Sequence, residues 1–297
     1  MSIGSCFAEN IAEKFDYFKF QNSVNPFGII FNPVSIEKLL YRIVNKIEFT
    51  KDDIFFHNHL WHCYEVHSKL SNPIKDEFLY NLNDILRLSH QQISTSTHII
   101  ITYGTSWVYR LRQVQVDKKN VVANCHKVPQ NQFYKEIVSV ESIEKSIKNS
   151  IDLVQKINPN CSFIFTISPV RHTKDGFVEN NVSKAHLITA IYNSQLATRN
   201  SQYFPSYEIM MDELRDYRFY ADDMLHPSKS AIDYIWNQFF ENYILETDWE
   251  IMSEVGAIQK ALLHKPFNPE SEIHQLFLKN LHIRILEIRN RIPNSNF

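Results

Sequence analysis

Two short stretches near opposite ends of the chain carry side chains suited to acyl transfer. Gly4-Ser5-Cys6 places a hydroxyl and a thiol between an apolar stub, Met1-Ser2-Ile3, and an amphipathic pattern with Ile11, Phe15 and Phe18 on one side. A nucleophile at a strand-to-helix junction is held out of the core, where helix-end N–H groups can stabilise a developing anion. A serine there can also simply cap the helix, and that reading stays open beside the first. Asp223-Met224-Leu225-His226 places a carboxylate three residues before an imidazole. Pro227 and Ser228 then read as the start of a helix through Ile232, Ile235, Trp236 and Phe239. Such a loop folds the carboxylate toward one ring nitrogen and leaves the other facing a nucleophile.

Acyl transfer needs a nucleophile, a base, a group that orients the base, and donors for the oxyanion. In chain order the sequence offers Ser5, Gly28, Asn124, Asp223 and His226. Gly28 ends the turn-like run Asn25-Pro26-Phe27-Gly28 and is expected either to present a bare N–H or only to permit the turn. Asn124 brings a side-chain amide. Cys6 is the alternative nucleophile, but directly after Ser5 it should point elsewhere and pack as a small apolar group. Gly104, Thr105, Trp107, His126, Arg171 and His172 lie in polar loops or at strand ends and are candidate pocket residues. Of these, Arg171 and His172 suit either an anionic or hydroxylated group or the roles of a salt-bridged arginine and a surface histidine, and Trp107 with Trp61 and Tyr109 suits a sugar platform, an acyl wall or equally ordinary core. His57, His59, His62, Cys63 and His67 form a dense cluster, but no zinc-type spacing repeats within it. It is read as a pocket wall; no metal and no cofactor is assigned.

These residues meet only if the intervening chain forms a parallel sheet. His98–Tyr103, running into Gly104, and Ser162–Ile167, running into Ser168, are apolar runs of the kind that form strands covered on both faces. Helical periodicity precedes each of them, at 74–88 and from Ser139, and recurs at 34–42, with Ser35 as the cap, and at 181–199. A last strand is expected over 203–211 and an extended excursion over 110–122. Helix, buried strand and polar loop in alternation predict an α/β fold whose ligand loops share the carboxyl edge of the sheet. Residues 1–248 are expected to form this domain, with an insertion at about 45–95, and 249–297 a C-terminal helical appendage. Its final helix, 269–291, has enough apolar positions for a homodimer through the C-terminal helices.

The 297 residues are 44% hydrophobic, enough for one large core, and the net charge of -2 comes from interspersed residues, which argues against nucleic acid as a partner. The four cysteines show neither a metal-binding pair nor disulfide-scaffold density, no run has the length of a membrane span, and no leader pattern opens the chain. A cytoplasmic, membrane-free protein is expected.

Gly4-Ser5-Cys6-Phe7-Ala8 resembles the signature of the GSCFA domain family, itself similar to the SGNH/GDSL hydrolase superfamily. Asn25–Gly28, Gly104–Tyr109, Asn124–Lys127, Ser168–His172 and Asp223–Pro227 resemble further blocks of that family in the same order, spanning about residues 3 to 240. The resemblance implies a three-layer α/β/α sandwich with a mostly parallel, flavodoxin-like sheet. It implies Ser5 as nucleophile, His226 as base and Asp223 as the group orienting it, with the Ser5 and Gly28 N–H groups and Asn124 as the oxyanion hole. The superfamily's Gly-x-Asn-Asp block has no direct match here, and Gly104-Thr105-Ser106 is the other candidate for its place. The expected activity is that of a serine esterase on a small-molecule or saccharide ester, with carbohydrate O-deacetylation as the analogy. Carbohydrate O-acyl transfer and a non-catalytic binding module on the same fold are the alternatives. Only three residues precede Gly4 where the resembled superfamily has a full strand, so either a stub of a first strand or a chain short at its N-terminus is expected.

Overall fold

The computed structural model describes residues 1–112, 121–197, 200–293 and 295–297. In chain order, β1 (Ser2–Gly4) leads into α1 (Cys6–Tyr17), and α2 (Pro33–Val44) follows. A hairpin, β2 (Phe55–His57) and β3 (Leu60–His62), precedes α3 (Lys75–Thr95) and the long strand β4 (His98–Tyr103). Then come β5 (Trp107–Leu111), β6 (Val121–Val122), β7 (Phe133–Ile137), α4 (Val140–Gln155) and β8 (Ser162–Ile167). α5 (Phe177–Ala197), β9 (Ser201–Phe204), the single turn α6 (Ser206–Glu208), α7 (Lys229–Tyr243), α8 (Glu246–Leu262) and α9 (Glu272–Arg291) complete the chain.

The main sheet is parallel throughout, in the order β1-β4-β8-β9. Val24 adds a parallel bridge on the outer side of Ser2, made by Ser2 N–H to Ser23 O (2.8 Å) and Asn25 N–H to Ser2 O (2.9 Å). Counting that bridge as a second strand shrunk to one residue, the order becomes 2-1-3-4-5, the flavodoxin-like winding. Ile99, Ile101, Tyr103, Phe163, Phe165 and Ile167 lie on one face of the sheet, in a core shared with α2, α3, α4 and α5. The alternate residues Ile100, Thr102, Ile164 and Thr166 are buried as well. Both faces are therefore covered, which is why these strands read as continuous apolar runs, and the architecture is a three-layer α/β/α sandwich.

Three expectations change. Asn32, not Ser35, caps α2, its Oδ1 accepting the Ser35 N–H at 2.8 Å. The strand expected over 203–211 ends at Phe204: Pro205 cannot continue the ladder, and the chain turns through α6 into a π-turn at Ile209–Glu213. The excursion expected over 110–122 belongs to a second, antiparallel sheet in the order β6-β5-β7; residues 113–120 lie outside the described residues, as do 198–199 of the helix expected over 181–199.

Two compact units emerge, one of residues 1–10 and 23–235, the other of 11–22 and 236–297. The first contains the parallel sheet. In the second, Phe15 meets Trp236 and Phe239 edge-on at 5.2 and 5.7 Å between ring centroids, and Phe18 stacks on Trp236. α8 and α9 pack there through Val255, Ile258, Leu281 and Ile288. Among the described residues no helix is long and apolar enough to cross a membrane.

Candidate functional site

Ser5 is the residue at which the first strand becomes a helix. Its N–H donates to Thr102 O (3.1 Å), carrying the β1–β4 ladder one step past β1. Its carbonyl accepts the Ala8 N–H (2.9 Å) and its Oγ the Phe7 N–H (3.3 Å), so the serine does cap α1. Glycine is required just before it: Gly4 has φ 150°, and a Cβ there would lie 2.2 Å from Thr102 O. The Gly4 N–H donates to Asn25 Oδ1 at 2.8 Å, which ties the junction to the following turn.

His226 precedes α7 and is held by Asp223. Asp223 Oδ1 accepts the backbone N–H groups of Leu225 and His226, both at 2.9 Å, while Oδ2 lies 2.5 Å from His226 Nδ1. The two backbone donors, and then the imidazole, hold the Asp223 carboxyl down at about 2. A carboxylate so fixed makes Nδ1 the protonated nitrogen and leaves Nε2 as a base. The loop itself is closed by Ala221 N–H to His226 O and by a bridge from Tyr220 to Pro227.

Ser5 and His226 line the same cavity, of about 500 Å³, at the carboxyl edge of the sheet. Ser5 Oγ and His226 Nε2 are not hydrogen-bonded to each other, and the Ser5 Oγ contact within hydrogen-bond distance is the Phe7 N–H. Cys6 lines the cavity too, but burial, followed by the Glu9 charge, pushes its thiol up, away from the reactive thiolate.

The two backbone oxyanion donors expected from sequence are occupied. The Ser5 N–H belongs to the sheet ladder, and the Gly28 N–H closes a turn onto Asn25 O at 2.7 Å. Gly28 has φ 76°, and a Cβ there would stand 2.3 Å from the Cβ of His67; it lies behind that histidine instead of on the cavity wall. Asn124 does line the cavity. Its Oδ1 accepts the His126 N–H (2.8 Å) with Ser68 Oγ 3.0 Å away, which fixes the amide and leaves its NH₂ as the unspent end.

His126 is packed behind Asn124, with ring nitrogens 2.9 Å from Ser68 Oγ and 2.7 Å from Cys63 O; burial brings it down to about 4, so it is a neutral strut and not a cavity residue. Thr105, Trp107, Arg171 and His172 do line the cavity. Gly104 does not, but a Cβ on it would crowd both Phe31 and His172, which pack against each other with centroids 5.2 Å apart. Burial, with Lys184 next, brings His172 down to about 4, so it too is neutral near pH 7. Of the histidine-rich cluster only His67 reaches the cavity. His62 spends its ring nitrogens on Ser71 Oγ and His57 O, and among the described residues no three His, Cys, Asp or Glu side chains could hold a metal ion.

The sequence reading missed the polar end of α5. Asn180, Ser183 and Lys184 are all buried and continue into Leu187 at spacings of three, one and three, on a single helix face. Asn180 Oδ1 accepts the His172 N–H, Ser183 Oγ accepts the Ser106 N–H, and Lys184 Nζ donates to Gly104 O and Ser168 O, every bond at 2.8 Å. They fasten the loops that leave β4 and β8. Burial pulls the Lys184 amine down to about 7. The available signal was a lysine on the apolar stripe with Leu187 and Ile191.

A model of the GSCFA family matches residues 1–239, and one described as GSCFA domain protein, C-terminal domain, matches 255–297. The chain belongs to the GSCFA family. No curated protein matches it.

Proposed function

We propose that this GSCFA-family chain is a serine esterase working through a covalent acyl-enzyme. The observation that carries the reading is that Ser5 and His226 line one cavity while Asp223 holds His226 Nδ1 at 2.5 Å. Ser5 Oγ attacks the ester carbonyl and passes its proton to His226 Nε2. The tetrahedral intermediate collapses with cleavage of the bond to the alcohol oxygen, which takes that proton and leaves. Water then attacks the acyl-Ser5 carbonyl, again giving a proton to His226, and Ser5 is released with the free acid. Asn124 Nδ2 and the N-terminal end of α1 supply the field for the oxyanion. The resemblance to SGNH/GDSL hydrolases supports the same roles. Trp107 and Tyr109, both on the cavity, suit the flat face of a saccharide ester.

A non-catalytic binding module is the second reading, favoured by the engagement of the Ser5 and Gly28 N–H groups in backbone bonds. Carbohydrate O-acyl transfer uses the same first half-reaction and differs only in an acceptor hydroxyl replacing water. The free cysteines fit a reducing, cytoplasmic setting, and exposed Ile273, Leu276 and Ile283 on α9 fit a homodimer; both belong to this proposal.

The test is intact-protein mass spectrometry after exposure to a fluorophosphonate, which forms a bond from Ser Oγ to phosphorus and expels fluoride. One adduct on the wild type, absent from Ser5→Ala and strongly slowed in His226→Ala, is expected. No adduct on correctly folded wild type would move the assignment to the binding module.

A further inference from the structure

The cationic side chains of the cavity are unequal in how they are spent. Lys135 forms an ion pair with Asp175 and lies 4.8 Å above the Trp107 ring. Arg171 and Lys174 line the same wall, and among the described residues neither has a carboxylate within ion-pair distance. Asp175 is the carboxylate that lines the cavity, and it is taken. Removing the Lys135–Asp175 pair leaves two uncompensated cations facing a cavity that also holds Ser5 and His226.

Arg171 is unusual for a guanidinium that is not fully exposed. Among the described residues its side chain makes one hydrogen bond, Nη2 to Met224 O at 3.3 Å, lies 5.4 Å over the Tyr220 ring, and its buried Nε has no partner. Arg42 shows what a saturated arginine looks like in this molecule: it bonds Glu65 through two nitrogens, Asp53 through one, and the carbonyls of Ile47 and Glu48. A planar, half-buried fork with donors to spare matches the oxygens of a carboxylate or phosphate. Lys174 brings a second charge of the same sign and has no hydrogen bond or ion pair among the described residues.

We infer that the cavity selects esters bearing an anionic oxyacid group, a carboxylate or a phosphate, and that Arg171 and Lys174 hold that group while Ser5 faces the ester carbonyl. This selectivity rests on the esterase reading; the anion site itself does not. The geometry gives the guanidinium a second task, since its bond to Met224 O steadies the loop carrying Asp223 and His226. An anion seated there would touch the base's loop and the nucleophile's cavity together.

The experiment compares matched acetyl esters on the full chain: 4-acetoxybenzoate and 4-acetoxyphenyl phosphate against neutral methyl 4-acetoxybenzoate. A second pair, 4-nitrophenyl hemisuccinate against 4-nitrophenyl butyrate, places the charge on the acyl side. The wild type should favour at least one anionic ester about tenfold or more in kcat/KM. That ratio should collapse in Arg171→Gln and Lys174→Gln and weaken in 0.5 M salt, as an electrostatic preference must. The favoured ester tells carboxylate from phosphate and acyl side from alcohol side. Lys174→Gln decides the matter if Arg171→Gln unsettles the loop. Calorimetric titration of Ser5→Ala protein with succinate and with inorganic phosphate supplies a readout free of turnover, and binding lost in the Lys174→Gln background supports the site even if no ester is hydrolysed. Fluorophosphonate labelling of Ser5 with neither anion bound and with ester ratios near one would overturn the anion site and leave the esterase standing.

Discussion

Asp223 acts on His226 through three acceptor contacts, and the substitution Asp223→Asn separates them. Asparagine keeps an oxygen for the Leu225 and His226 N–H groups, so the turn survives. Its NH₂, however, would face Nδ1 as a donor and force the proton onto Nε2, the wrong tautomer for a base. Circular dichroism should be unchanged while fluorophosphonate labelling slows by about a thousandfold or more; an unchanged rate would remove Asp223 from the mechanism. On the proposed assignment of Ser5 as nucleophile, and with burial raising the Cys6 thiol, Cys6→Ala should label within a few-fold of wild type; loss of the adduct, with the fold intact, would restore Cys6 as the candidate. These residue-scale assignments were legible where the contact is local. Asp223 and His226 are three apart and in a loop, so their pairing could be read directly. The spent N–H groups of Ser5 and Gly28 could not: one bonds a strand 97 residues away, and the other depends on how a turn closes.

At the scale of elements, α5 holds the loops of β4 and β8 through a lysine that is buried and, among the described residues, has no carboxylate within ion-pair distance. Its amine is lowered from 10.5 to about 7, so between those values the unfolded chain binds a proton that the folded chain does not. Stability must therefore rise with pH across that window, by up to about 1.4 kcal/mol per unit from this group. The cysteines, whose thiols are raised, oppose the trend near and above pH 9, and the buried Met1 α-amine, lowered from 8.0, adds to it below that value, so the Lys184 share over 7.0 to 8.5 is read as the difference between wild type and the Lys184 variant. The urea midpoint of the wild type should climb over that range and that of Lys184→Met should climb less, although losing the bonds to Gly104 O and Ser168 O lowers it at both values. Equal slopes would mean that Lys184 is not desolvated as described. The elements themselves were legible in proportion to their length and burial. β4 and β8 announce themselves as apolar runs; β9 is cut short by Pro205, and the half-buried strands of the antiparallel sheet carry too mixed a pattern to be told from loops. The polar start of α5 hid its inner face for the same reason: a stripe is read by its apolar members.

For the whole molecule, the question is what the chain beyond the first family match contributes. That match ends at 239, inside α7, and the aromatic cluster of the second unit closes at this same place. Phe15 and Phe18 of α1 meet Trp236 and Phe239 of α7, and all but Phe18 are at most 9% exposed. α1 begins immediately after Ser5 and α7 three residues after His226, so the two helices that follow the proposed nucleophile and base are joined in one cluster. Edge-on and stacked aromatic pairs add about 0.5–1.5 kcal/mol each beyond their buried area. A chain ending at 245 keeps every one of these rings, whereas a chain ending at 235 loses Trp236 and Phe239 and leaves Phe15 with Phe20 as its remaining aromatic neighbour. Labelling of Ser5 should therefore persist, within about tenfold, in the 1–245 protein and fall much further in 1–235. Phe15→Ala in the full chain should lower the thermal midpoint by several degrees, as removing a buried phenylalanine costs about 3–5 kcal/mol. If 1–235 instead labelled as fast as the full chain, the aromatic cluster would have no part in holding the nucleophile and base, and the C-terminal helices would have to be explained by a partner alone.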